Sequence, residues 1–287
     1  MRHLVSAADL AAEIEQDALD QREGPVLVDV RWALTAGREA SSGPVGKPDY
    51  DAGHLPGAFF VDLDTALAGP PGDAGRHPLP DPTTVEATLR RCGVGEDSRV
   101  VVYDGRESYA AARAWWVFRW AGVADVRVLD GGFAAWQAAG LPVSEDEPAD
   151  REGDLTVRPG QLPTLTAEEA GRWARDAVLL DARAPERYAG ATEPIDPVAG
   201  HVPGAHNSPT SAWLTDDGTF RPDLAEHWAQ VRPGDGDVAV YCGSGVTAAH
   251  HVLALAQLGI DATLYPGSWS EWVRDPARPV ATGDTPG

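Results

Sequence analysis

Cysteine is scarce in this chain of 287 residues, since only Cys92 and Cys242 occur. Two cysteines cannot supply the disulfide framework of a small secreted protein, so a reducing cytoplasm is the expected compartment. No apolar run approaches the length of a membrane span, and the N-terminal residues lack the apolar core of a signal peptide. These absences predict a cytoplasmic protein without a membrane partner.

Basic residues are also few, and Lys47 is the only lysine. The formal net charge is -21 at pH 7, with the acidic residues scattered along the chain. Such a charge disfavours binding to nucleic acid or to anionic membranes, whose phosphates attract basic surfaces. The histidines are dispersed, no Cys/His spacing fits a metal site, and neither a dinucleotide fingerprint nor a Walker loop occurs. We therefore expect no nucleic-acid partner, no metal and no cofactor.

The chain contains an internal repeat of domain size. Four motifs recur in the same order, which argues against chance. The repeated pairs are 26–31 with 178–183, 52–58 with 199–205, 100–105 with 238–243, and 129–136 with 265–272. This pattern predicts two copies of one domain, at residues 1–141 and 164–287. The segment between them, 142–163, is rich in Pro, Gly and acidic residues and is predicted to be the linker.

Each copy alternates short apolar segments with helical patterns. Apolar segments that lack polar alternation end at Asp29, Tyr103, Asp181 and Tyr241. Segments of this kind are typical of parallel strands that are buried on both faces. Helical patterns follow two of them, at 109–120 and 246–258. The sequence therefore predicts an α/β fold with two tandem domains, each a mostly parallel sheet with helices on both faces.

Cys242 lies between an apolar segment and a predicted helix, in the sequence Tyr-Cys242-Gly-Ser-Gly-Val-Thr-Ala. This places the thiol at the carboxyl edge of a parallel sheet, where α/β proteins bind ligands. Inward-pointing loop amides and the positive end of the helix dipole favour the nucleophilic thiolate. A lone cysteine is more often a buried structural residue, but glycines at a strand-to-helix turn favour a catalytic one. Copy one has Asp104 at the equivalent position, which predicts a non-catalytic domain.

The chain resembles the two-domain rhodanese family of thiosulfate and 3-mercaptopyruvate sulfurtransferases over nearly its whole length. The resemblance rests on two Gly-His-x-Pro-Gly-Ala motifs, the Cys242 loop and the Gly-Ser-Trp-x-x-Trp segment that ends at Trp272. It implies transfer of a sulfane sulfur from 3-mercaptopyruvate or thiosulfate through a Cys242 persulfide. The acceptor would be cyanide, a small thiol or thioredoxin. The loop is similar to that of the mercaptopyruvate branch, and a thiosulfate-preferring enzyme is the alternative.

The resemblance also implies roles for individual residues. Arg187 matches an arginine that holds the anionic group of the donor, and Tyr109 matches a substrate-contacting tyrosine. Ser244, His77 and Asp64 match a proposed relay that manages protons on a keto-acid donor. The loop amides are expected to hold the outer sulfur of the persulfide; they belong to Gly243, Ser244, Gly245, Val246 and Thr247. Purely structural roles for the arginine, histidine and tyrosine stay open.

Asp196 departs from the family pattern, because mercaptopyruvate enzymes usually carry a second arginine at about this position. A carboxylate there removes one charge-assisted contact to a carboxylate donor. Two further classes stay open. A cysteine phosphatase of the same fold needs an arginine at the end of the cysteine loop, where Thr247 and Ala248 stand instead. A non-catalytic binding module is the other alternative, and the intact Cys242 loop argues against it.

Overall fold

The computed structural model describes residues 3–34 and 43–287, and the chain divides into two compact units. Unit 1 comprises Met1–Ala68, Pro80–Gln161 and Asp216–Thr219. Unit 2 comprises Gly69–Leu79, Leu162–Thr215 and Phe220–Gly287. Two short segments therefore belong to a different unit from the repeat copy in which they occur: 69–79 lies in unit 2, and 216–219 lies in unit 1.

Unit 1 contains a five-stranded sheet with the order β1-β5-β4-β2-β3, and all its pairings are parallel. Its strands are β1 (Leu4–Val5), β2 (Val26–Asp29), β3 (Phe59–Phe60), β4 (Arg99–Tyr103) and β5 (Asp125–Leu129). Its helices are α1 (Ala7–Leu19), α2 (Lys47–Asp51), α3 (Leu63–Ala66), α4 (Pro82–Arg91), α5 (Tyr109–Trp120) and α6 (Gly132–Ala138). All four residues of β2 are buried, as its unbroken apolar sequence predicts.

Unit 2 contains a four-stranded parallel sheet with the order β7-β6-β8-β9. Its strands are β6 (Val178–Asp181), β7 (His206–Asn207), β8 (Val238–Tyr241) and β9 (Thr263–Leu264). Its helices are α7 (Ala167–Asp176), α8 (Pro185–Tyr188), α9 (Leu224–Val231), α10 (Val246–Gln257) and α11 (Ser268–Trp272), with a 3-10 turn at Thr210–Trp213. Cys242 directly follows β8, which lies between β6 and β9 in the sheet.

A buried ion pair recurs at the end of a central strand in each unit. Asp29, the last residue of β2, accepts hydrogen bonds from the Arg31 guanidinium, with Nη2 at 2.7 Å. Asp181, the last residue of β6, pairs in the same way with Arg183 at 2.6 Å. Arg183 Nη2 also donates to the carbonyl of Gly200, at 2.7 Å, which fixes the loop before the second His-x-Pro-Gly motif. The sequence repeat is therefore a repeat of buried interactions.

The segment predicted to be a linker packs against unit 1 over most of its length. Residues up to Gln161 belong to that unit. Ser144 pairs with His54 through two backbone hydrogen bonds of 2.9 Å, and the side chain of Leu155 is buried. Residues 142–161 thus belong to unit 1, and the assignment of 142–163 as the linker stays a prediction.

Candidate active site

Cys242 occupies a tight loop between β8 and α10. Gly245, which precedes the helix, has a φ of +81° that favours glycine, and its N–H donates to Cys242 Sγ at 3.1 Å. The backbone N–H of Cys242 donates to Ser268 Oγ at 3.1 Å. Because an amide and a helix N-terminus both face the sulfur, the loop stabilises negative charge on it.

Ser244 and His77 are in contact in unit 2. A hydrogen bond of 2.7 Å joins Ser244 Oγ to His77 Nδ1, and both side chains are largely buried. Ser244 is two residues after Cys242, whereas His77 belongs to the segment 69–79, which the fold assigns to the same unit. The arrangement brings two of the three predicted relay residues to the cysteine loop.

Arg187 lies at the last turn of α8 and is held by a buried carboxylate. Its Nε and Nη2 donate to the two oxygens of Glu193, at 3.1 and 2.7 Å. Burial opposes ionisation of Glu193, but hydrogen bonds from Arg187 and from the Asp196 N–H hold its pKa below the ordinary value. These bonds leave Arg187 Nη1 with no hydrogen-bond partner among the described residues.

Arg76 is a site residue that the sequence analysis missed. Its backbone N–H donates to Ser270 Oγ at 3.0 Å, and its Nη1 donates to Asp196 Oδ1 at 2.7 Å. Its Nε is buried and has no hydrogen-bond partner within the described part of the chain. The signal in the sequence was its position directly before His77, but no local pattern distinguishes it from a surface arginine.

Gly243 leaves open the space toward which both guanidinium groups point. A Cβ at this position would lie 3.2 Å from Arg76 Nη2, and 3.5 and 3.6 Å from Arg187 Nη1 and Nη2. Gly243 directly follows the nucleophile. An anionic group placed here would be next to Cys242 and within reach of two arginines.

Asp64 and Tyr109 belong to unit 1. Asp64, in α3, accepts a hydrogen bond from Trp32 Nε1 at 3.1 Å. Tyr109 begins α5, and burial raises the pKa of its phenol. Their part in the site of unit 2 stays a prediction.

Asp104 fills the loop of copy one with its own carboxylate. Its oxygens accept hydrogen bonds from four backbone N–H groups at 2.9–3.2 Å: those of Arg106, Ser108, Ala110 and Ala111. Burial nevertheless raises the pKa of Asp104. The carboxyl group of Asp104 thus occupies the loop whose counterpart holds the cysteine in copy two.

Cys92 lies in a different environment. It is the C-cap residue of α4, it is completely buried, and burial raises the pKa of its thiol to about 11. Neither cysteine forms a disulfide. Residues 3–34 and 43–287 contain no group of three or more His, Cys, Asp or Glu side chains suited to a metal ion. Within the same ranges no helix combines the length and apolarity needed to cross a bilayer.

Comparison with known proteins identifies the family to which the chain belongs. A model of the rhodanese-like domain matches residues 6–139 and 166–275. SseB of Mycobacterium tuberculosis, named as a thiosulfate sulfurtransferase, is 47% identical over 293 residues, covering 98% of this chain and 97% of its own. The 3-mercaptopyruvate sulfurtransferase of Rattus norvegicus is 35% identical over 284 residues, covering 94% of this chain and 92% of its own.

Solved structures agree with the sequence matches. The crystal structure of SseA from Escherichia coli, described as having the rhodanese fold of 3-mercaptopyruvate sulfotransferases, superposes with a TM-score of 0.76. It is 30% identical, and the match covers 94% of this chain and all of that one. These findings confirm the predicted α/β fold and the predicted class of enzyme. The chain belongs to the rhodanese family of sulfurtransferases.

Proposed function

We propose that this protein transfers a sulfane sulfur through a persulfide on Cys242. The proposal rests on the polar groups that surround the Cys242 loop. The Gly245 N–H donates to the sulfur, and the guanidinium groups of Arg76 and Arg187 lie beside the adjacent Gly243. A stabilised sulfur anion next to an anion-binding position is what attack on an anionic sulfur donor requires.

In the first half-reaction, the Cys242 thiolate attacks the sulfur that is transferred, which is the outer sulfur of thiosulfate or the thiol sulfur of 3-mercaptopyruvate. A bond forms between Sγ and that sulfur, while the bond to the rest of the donor breaks and leaves its electron pair on the leaving group. With thiosulfate the leaving group is sulfite. With 3-mercaptopyruvate it is the enolate of pyruvate, which then takes up a proton. Arg76 and Arg187 hold the anionic end of either donor.

In the second half-reaction, a thiophilic acceptor attacks the terminal sulfur of the persulfide. The sulfur–sulfur bond breaks, its electron pair returns to Cys242 as thiolate, and the acceptor leaves with one additional sulfur. Cyanide, a small thiol or thioredoxin would serve as acceptor. A cytoplasmic location is part of this proposal, since a chain with only two cysteines is typical of a reducing compartment.

The contact between His77 and Ser244 favours 3-mercaptopyruvate as donor. An enolate leaving group needs a proton, and a hydroxyl hydrogen-bonded to an imidazole at 2.7 Å supports its delivery. Asp64 would orient the histidine, and Tyr109 would contact the substrate. The loop amides would hold the outer sulfur of the persulfide; they belong to Gly243, Ser244, Gly245, Val246 and Thr247. A preference for thiosulfate is the alternative.

A cysteine phosphatase has weaker support. The sequence argument against it was the lack of an arginine at the end of the loop, yet Arg76 and Arg187 bring guanidinium groups to the loop from other segments. The choice between a phosphatase and a sulfurtransferase therefore depends on the relatives of this chain, which are named as sulfurtransferases. Unit 1, with Asp104 in its loop, is proposed to be non-catalytic.

Intact-protein mass spectrometry tests the proposal. After incubation with 3-mercaptopyruvate or thiosulfate and no acceptor, the mass should rise by about one sulfur and return to its original value with dithiothreitol. The gain should disappear in Cys242→Ala. Cys92→Ser is the matched control and should keep the gain, because burial raises the pKa of the Cys92 thiol to about 11 and so disfavours its thiolate. A gain that persists in Cys242→Ala, or no gain in the unmodified protein, contradicts the proposal.

A further inference from the structure

Asp196 lies between the two arginines of the candidate site. Its Oδ1 accepts a hydrogen bond from Arg76 Nη1 at 2.7 Å, and its Oδ2 is 3.4 Å from Arg187 Nη2. Its side chain is only 4% exposed. Asp196 stands where mercaptopyruvate enzymes usually carry a second arginine. In this protein it is the shared counter-ion of Arg76 and Arg187.

Asp196 completes a cluster in which positive and negative groups are equal in number. We call this cluster the arginine cradle. It consists of three guanidinium groups and three buried carboxylates, those of Arg76, Arg183, Arg187, Asp181, Glu193 and Asp196. The cradle has no formal net charge. A donor anion that enters it consequently adds its full negative charge to a neutral, partly buried site.

The cradle nevertheless keeps N–H groups available for an anion. The carboxylates engage Arg187 through Nε and Nη2, and they engage Arg76 through Nη1. Arg187 Nη1 and Arg76 Nη2 are the guanidinium nitrogens near the open side of Gly243. Two such nitrogens suffice for the oxygens of one anionic group.

We propose that Asp196 selects sulfur donors by charge and favours monoanions over dianions. The proposal rests on sulfur-donor binding beside Cys242 and adds the determinant of donor charge. Asp196 repels each negative charge of the donor, so a dianion meets twice the repulsion of a monoanion at the same distance. With an arginine or a neutral residue at this position, the cradle would carry a net positive charge. The affinity for a dianion would then increase more than the affinity for a monoanion. Asp196 thus makes thiosulfate the poorer substrate.

Donors that differ in charge but share their chemistry test this role. Thiosulfate is a dianion, whereas methanethiosulfonate is a monoanion; both carry a sulfane sulfur on an oxidised sulfur, and they release sulfite and methanesulfinate. In the full chain, Asp196→Asn removes the charge and keeps an oxygen that can accept from Arg76. We expect the ratio of kcat/KM for thiosulfate to that for methanethiosulfonate to rise about tenfold.

A matched control separates local from overall charge. Asp235→Asn removes a carboxylate whose side chain is 98% exposed, and it should leave the donor ratio unchanged. If Asp196 only supported the fold, its replacement would change kcat/KM for both donors by the same factor. An unchanged ratio in a folded Asp196→Asn protein overturns the proposal.

A binding experiment keeps the inference testable even if no sulfur is transferred. In a Cys242→Ser background, calorimetry measures the dissociation constants of sulfate, a dianion, and methanesulfonate, a monoanion. Asp196→Asn should strengthen sulfate binding by about tenfold more than methanesulfonate binding. The same ratio with and without Asp196, or no binding of either anion, overturns charge selection. Failure of the Cys242 persulfide with an altered binding ratio would instead count against the proposed reaction alone.

Discussion

His77 Nδ1 lies 2.7 Å from Ser244 Oγ, although the two residues are 167 positions apart in the chain. The pair is possible because the segment 69–79 belongs to unit 2, while the residues before and after it belong to unit 1. Ser244 is fixed by the loop that carries Cys242, so the histidine is held at a defined distance from the nucleophile. This relationship makes the proton relay a testable hypothesis.

Ser244→Ala should lower turnover with 3-mercaptopyruvate more than turnover with thiosulfate. Loss of the hydroxyl should lower kcat with 3-mercaptopyruvate by about 100-fold, since the enolate leaving group needs a proton. The effect on thiosulfate should be small, because sulfite leaves without the same proton delivery. Ser244→Thr keeps a hydroxyl and serves as the control. Steady-state assays with both donors give the result, and equal losses for the two donors would contradict the relay.

Much of the fold could be predicted because its signals are local. Ser6 caps α1 by accepting from the Asp9 N–H at 3.1 Å, as the sequence pattern indicates. Thr166 and Glu169 form a capping box at the start of α7, and the Thr-x-x-Glu spacing is a local signal for it. The residue ranges predicted for α5 and α10 agree with the structure to within one residue. Cys242 could be found for the same reason, since an apolar strand, a glycine loop and a helix start are adjacent in the chain.

The arginine cradle could not be predicted, because its contacts join distant segments. Arg76 and Asp196 pair across 120 residues. In the sequence, Asp196 appeared only as a residue standing where a guanidinium was expected, and Arg76 carried no distinguishing pattern. An arginine at position 196 would therefore add positive charge and also remove the counter-ion that Arg76 and Arg187 share.

Arg76→Ala should weaken binding of both donors. Its guanidinium lies beside Gly243, so its loss should raise KM by about tenfold, the range of one charge-assisted hydrogen bond. Arg76→Lys should restore part of the affinity, since it keeps the charge but not the planar fork. Arg172→Ala removes an exposed arginine of the same unit and is the control. An unchanged KM in a folded Arg76→Ala protein would show that Arg187 alone holds the donor.

Gly243→Ala should block the anion position without unfolding the protein. The new Cβ would be 3.2 Å from Arg76 Nη2, where only the end of a flexible side chain has to move. We expect a destabilisation of at most about 1 kcal/mol, together with a rise in donor KM of about tenfold. Gly234→Ala, whose Cβ would meet only Val178 at 3.8 Å, should change neither quantity. Normal donor KM values in Gly243→Ala would mean that the anion binds elsewhere.

Asp104→Ala should destabilise unit 1. Four backbone N–H groups would lose their acceptor in a buried loop, and we expect the free energy of unfolding to fall by about 3 kcal/mol. Asp104→Asn keeps one of the two acceptor oxygens, so its free energy of unfolding should fall by less. Urea unfolding followed by circular dichroism measures both variants. A loss below about 1 kcal/mol in Asp104→Ala would mean that water replaces the carboxylate.

Acid should destabilise unit 2 through two histidines of α10. His250 and His251 are completely buried, and burial lowers the pKa of each to about 3. In the unfolded chain the same groups take up protons below about pH 6.5, so the unfolded state binds more protons between these two values. The free energy of unfolding should therefore fall as the pH decreases from 6.5, by up to about 1.4 kcal/mol per pH unit for each histidine.

His251→Phe, which keeps a ring beside Trp213, should remove one histidine's share of this slope. Urea titrations at pH 7.5 and pH 5 measure the difference, and the same slope in the variant and the unmodified protein would mean that other groups cause the acid sensitivity.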